Sequence, residues 1–77
     1  MNIDLLVKMA NEISEFFAAE SAPAEAPQAV AEHLRRFWEP RMRRQIIEHL
    51  RDKGGAGLTD LARRGVETLA AAQPPQT

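Results

Sequence analysis

The chain has 77 residues, a formal net charge of −1, 27% charged residues and no cysteine. That length makes one small domain, whose core alone supplies little net stability, so a partner is a natural source of the rest. The missing thiols exclude a disulfide framework, thiolate metal sites, iron–sulfur ligation and cysteine nucleophiles.

The first predicted element is a helix over residues 3–19. Leu6, Met9, Ile13 and Phe16 recur at helical spacing, with Leu5, Ala10 and Phe17 widening the stripe. Asn2 suits the N-cap, and Asp4 suits the positive end of the helix dipole. Residues 20–27, with Pro23, Pro27, alanines and glutamates, read as a linker.

A second helix is expected over residues 28–38, with Pro27 at its first turn and Val30, Leu34 and Phe37 or Trp38 as its apolar stripe. Pro40 disfavours helical geometry at Glu39. A proline inside a helix costs about 3 kcal/mol, which favours a break over a kink. A third helix follows over residues 41–52, with Met42, Ile46, Ile47 and Leu50 apolar. Lys53-Gly54-Gly55-Ala56-Gly57 ends it. No strand pattern precedes those glycines and no Gly-Lys-Ser/Thr ending follows, so they are not a phosphate-binding loop.

A weaker fourth helix is predicted over residues 59–72. Thr59 is its cap, and Leu58, Leu61, Ala62, Val66 and Leu69 give the apolar spacing. Gly65 in its middle either weakens it or permits close helix approach. Residues 73–77 read as a disordered tail. The expectation is an all-α fold: a small bundle of three principal helices plus a weaker C-terminal one, forming a single domain over residues 1–72.

Charge is unevenly spread. Residues 1–32 carry one basic and six acidic side chains, a net of −5, whereas residues 33–53 carry seven basic and three acidic, a net of +4. The basic segment centres on Arg35-Arg36-Phe37-Trp38-Glu39-Pro40-Arg41-Met42-Arg43-Arg44, which holds the single tryptophan and five of the ten basic residues. Aromatic plus arginine is the chemistry enriched at protein–protein hot spots. Phe37 and Trp38 point about 100° apart on a helix, so both cannot sit at the centre of one small core. The run reads as an interhelical hinge and a contact surface.

Other chemistry finds less support. His33 and His49 each follow a glutamate but lack an HExxH arrangement or a third ligand, so partly exposed helical side chains are the plainer reading. The Glu-His-Leu-Arg echo at 32–35 and 48–51 lacks the sustained period of a repeat. Ser14, Ser21, Thr59, Thr68 and Thr77 stand in no nucleophile signature. A helix–turn–helix reading would pair residues 28–38 with 41–52, but the sequence pI of about 6.1 and the acidic first third oppose phosphate binding. No apolar run approaches membrane-span length, and the start lacks a basic signal region, so a cytoplasmic protein is expected.

Several runs resemble one family. Leu6-Val7-Lys8-Met9-Ala10-Asn11-Glu12-Ile13, Phe16-Phe17, His33-Leu34-Arg35-Arg36-Phe37-Trp38-Glu39-Pro40-Arg41-Met42-Arg43 and Gly57-Leu58 together resemble the delta subunit of NAD-dependent, molybdenum- or tungsten-containing formate dehydrogenases. Thr59 and Asp60 stand where that pattern has a proline, and the 20–27 linker is richer in proline. The resemblance implies a non-catalytic accessory subunit with no cofactor of its own. It implies contact with the catalytic subunit, and that the subunits other than delta carry the molybdopterin, iron–sulfur, flavin and NAD sites. A transient chaperone for molybdenum-cofactor insertion and a small nucleic-acid-binding regulator are the alternatives, and self-association in isolation is open. The candidate contact residues are Phe37, Trp38, Glu39, Pro40, Arg41, Met42, Arg43 and Arg44, with Phe37 or Trp38 as anchor.

Overall fold

Local chemistry starts and stops each helix. In the computed structural model, which describes residues 2–72, the Asn2 side chain accepts the Asp4 backbone N–H at 2.8 Å and opens α1 (Ile3–Glu20). That bond satisfies one of the donors a helix start leaves bare. After a short turn, α2 (Ala26–Phe37) begins with Pro27 in its first turn. Trp38 and Glu39 are extended, and Pro40 takes the first position of α3 (Pro40–Lys53). Helices 2 and 3 are therefore separate, as proline's missing donor and ring clash require. Gly54, at φ 65, caps α3 in the left-handed region that favours glycine. Thr59 then opens α4 (Asp60–Ala72), its hydroxyl accepting the Ala62 N–H at 3.3 Å. Residues 73–77, expected to form a disordered tail, lie outside the described residues.

The described residues form an all-α fold of four helices without a strand. Leu6, Val30, Leu34, Ile46, Val66 and Leu69 are almost fully buried and make its centre. α4 packs on each of the other helices, and its pairing with α2 is the most extensive in the molecule. Gly65 explains how. The glycine faces Val30 so closely that a Cβ there would lie 2.7 Å from the Val30 Cβ. Of the two meanings open for Gly65, close approach is the one realised, and it makes α4 an integral wall of the core.

The α1 stripe is rotated from the predicted one. Its buried line is Leu6, Ala10 and Ser14, with Val7, Met9, Ile13 and Phe17 partly buried beside it. Leu5 and Phe16, expected in the stripe, are exposed at 44% and 59%. At about 100° per residue Phe16 falls well round the helix from Phe17, and only one of the pair can face inward.

Candidate partner-docking surface

The eight candidate contact residues do not share one surface. Trp38 follows the last helical residue of α2, and its extended backbone (φ −87, ψ 141) takes the indole into the core, leaving 5% exposed. Phe37, one residue earlier, is 71% exposed. Met42 packs against the core. Arg43 turns inward as well: its Nη1 donates to the carbonyls of both Trp38 and Arg35, the latter at 3.2 Å. α2 and α3 pack little on each other directly, so this guanidinium ties the end of one to the start of the other. Its Nε is buried without a partner, a cost accepted for the double contact. Glu39, Pro40, Arg41 and Arg44 remain exposed, as Phe37 does.

A second set of residues joins Phe37. Its ring lies 4.8 Å from the His33 imidazole, which lies 5.9 Å from Phe17, which meets Phe16 edge-on at 5.1 Å. These separations suit favourable edge and tilted ring contacts. The row crosses from α1 to α2 along the surface. Phe17, Ala29, Glu32, His33, Arg36 and Phe37 line a shallow groove of about 230 Å³ along it. Arg35 binds Glu32 through a short hydrogen-bonded ion pair, and Arg36 Nε lies 4.0 Å from the same carboxylate. The Arg35 hydrogen bond holds the Glu32 carboxyl below the usual carboxylate range, with both guanidinium charges adding to the effect, and the same pairing raises Arg35.

Sequence reasoning placed Phe16 in the core stripe and left His33 as an isolated side chain. A signal was present: His33 and Phe37 stand four apart on one face of α2, and Phe16-Phe17 offers two rings in succession. What could not be read was that α1 and α2 bring these together.

The remaining chemical groups are spent on structure. Ser14 Oγ donates to the Ala10 carbonyl at 2.8 Å, and Thr68 Oγ1 to that of Arg64 at 2.9 Å. His49 Nε2 lies 2.7 Å from the Ala56 carbonyl and closes the glycine loop. It lies on α3, beside a hollow lined by Ile3, Gln45, Glu48, His49, Asp52 and Lys53, whereas His33 lies in the aromatic row. Among the described residues no group of three or more His, Cys, Asp or Glu converges on a metal-sized site. Asn11 makes the longest-range clamp. Its Nδ2 donates to the Gly57 carbonyl at 3.0 Å, and its Oδ1 accepts the Thr59 N–H at 2.9 Å. Two of the separated runs, around Asn11 and at Gly57-Leu58, thus meet in space.

Fold and surface together define a small all-α chain whose distinctive feature is a bare aromatic row bordered by arginines. The particular family follows from comparison: residues 5–66 match the family NADH-dependent formate dehydrogenase delta subunit FdsD. The match spans most of the chain and covers the Asn11 clamp, the aromatic row and the Arg43 tie, and the chain belongs to that family. Comparison with curated proteins and with solved structures gave no match. Among the described residues no helix is long and apolar enough to cross a membrane.

Proposed function

We propose that this chain is a non-catalytic accessory subunit of the formate dehydrogenase complex. It stabilises the metal-containing catalytic complex, or assists its assembly, through protein–protein contact. Membership of the delta-subunit family supports the complex. The observation that carries the contact role is Phe37, 71% exposed at the end of α2 with Arg36 beside it in one groove. A large bare ring next to a forked cation is poorly placed for an isolated soluble chain and well placed for a partner. In this reading the chain holds no cofactor, works in the cytoplasm and binds the catalytic subunit through the exposed residues Phe37, Glu39, Pro40, Arg41 and Arg44. Trp38, Met42 and Arg43 hold the junction in shape from beneath.

The test is affinity purification of the tagged chain at its native level, with subunit quantification and molybdenum and tungsten analysis. Equal amounts of the large dehydrogenase subunits together with metal support a structural subunit. Recovery of a metal-free catalytic subunit alone would instead identify a transient maturation chaperone. Recovery of neither would refute the contact role.

A further inference from the structure

We infer that the row Phe16–Phe17–His33–Phe37 seats an amphipathic helical segment of the dehydrogenase's large subunits. The segment turns aliphatic side chains toward the groove and carboxylates toward Arg36. This deepens the accessory-subunit reading and rests on it.

Four observations support the assignment. First, the row exposes two phenylalanines, Phe16 at 59% and Phe37 at 71%, at opposite ends of a continuous line of rings. The rings hold one another in place, so a partner meets an ordered surface and little side-chain freedom is lost on binding. Second, the groove of about 230 Å³ lies below the roughly 300–1,000 Å³ of ordinary small-molecule pockets. Its lining is mainly apolar, and its size suits inserted side chains of a helix in a groove.

Third, the two edges differ in charge. On α2 the row is bordered by Arg36, which lines the groove. On α1 Phe16 stands between Glu12 and Glu20, each one helical turn away, with Glu15 beside them, all exposed. An occupant carrying carboxylates on one flank and basic residues on the other matches both edges, and the mismatch of the reverse orientation sets its direction. Glu32 lines the same groove and pairs with both Arg35 and Arg36, so the two arginines and one carboxylate leave this edge with a net charge of +1. Fourth, Arg41 and Arg44 are exposed among the opening residues of α3, which follows α2 after Trp38 and Glu39, and they offer a partner further basic surface there.

The test uses the full chain in the assembled enzyme. A photo-crosslinking phenylalanine analogue, p-benzoylphenylalanine, is placed at Phe37, the complex is irradiated, and the linked peptide is sequenced. The expected peptide comes from a large subunit, with aliphatic residues three and four apart and carboxylates along one side. In parallel, Phe16→Ser/Phe37→Ser should lower retention of the large subunits at least tenfold at equal chain level. Arg36→Glu should lower it severalfold. Because these side chains are exposed, circular dichroism and melting temperature should match those of the unsubstituted chain. A peptide from a second copy of this chain would overturn the inference. So would wild-type retention by the double variant, which leaves the accessory role standing and moves the interface elsewhere. If the unsubstituted chain itself retained no dehydrogenase subunit, the accessory reading would fail and this inference with it.

Discussion

Gly65→Ala separates two effects of opposite sign. In an exposed helix the change gains about 1 kcal/mol, because glycine has the larger backbone freedom to lose. Here the new Cβ would meet Val30 Cγ1 at 2.4 Å and Val30 Cβ at 2.7 Å. A rotamer change of Val30 can withdraw Cγ1 but not Cβ, which is fixed to the α2 backbone. Relieving the Cβ contact from 2.7 Å to an ordinary 3.4 Å needs α2 and α4 to part by about 0.7 Å. That opens the most extensive helix pairing in the molecule. Overpacking of this kind costs about 1–3 kcal/mol, and a backbone-borne clash belongs at the upper end. After subtracting the propensity gain, we expect a net loss of about 1–2 kcal/mol, or roughly 5–15 °C in melting temperature for a domain this small. Urea and thermal unfolding followed by far-ultraviolet circular dichroism measure it. Val30→Ala in the same background removes the 2.4 Å contact but leaves the 2.7 Å one, so it should restore only part of the deficit. A Gly65→Ala protein as stable as the parent, or more so, would show that the helices part freely and would refute the close-approach argument.

Five further outcomes are expected. Asn11→Ala removes both bonds that tie the loop before α4 to α1, and should cost about 1–3 kcal/mol in unfolding experiments. Amide exchange at Thr59 should rise with it, and unchanged exchange there would show that the clamp is not limiting. Trp38→Ala empties a core position and should cost about 3–5 kcal/mol, so any binding it loses reports on folding. Phe37→Ala should leave stability within about 0.5 kcal/mol, and a large loss would contradict its exposure. Arg43→Met removes the tie between α2 and α3 and should lower stability by about 1–2 kcal/mol, the relief of its unpartnered Nε offsetting part of the loss. In a carboxyl-detected NMR titration Glu32 should titrate below its usual range, and Arg35→Gln should move it upward; no movement would mean that the pair does not persist in solution.

The junction shows how a specific sequence run can serve the fold more than the surface. Within Phe37-Trp38-Glu39-Pro40-Arg41-Met42-Arg43-Arg44, Trp38 fills the core, Met42 packs beside it, Pro40 starts a helix and Arg43 ties two helices. The run around Asn11 likewise serves to hold the Gly57 loop. Part of the family's sequence pattern therefore describes how this bundle is closed, and the exposed remainder is where a partner can read it.

What the sequence determined by itself was local. The Asn2 and Thr59 caps, the stop at Gly54 and the break at Pro40 follow from which backbone groups each residue can satisfy or must forgo within a turn or so of chain. The all-α class follows from apolar spacing, and the family from its motif runs. The tertiary structure decided what depends on how helices rotate against each other. Phe16 and Phe17, or Phe37 and Trp38, are equally apolar to a periodicity count, and only packing selects the one that turns inward. Arg43 reads as a surface cation until the α2–α3 angle brings two carbonyls to it. The row from Phe16 to Phe37 spans two helices joined by a linker, and no spacing rule reaches across that connection. Burying the shared core fixes the angle between α1 and α2, and that angle assembles the row.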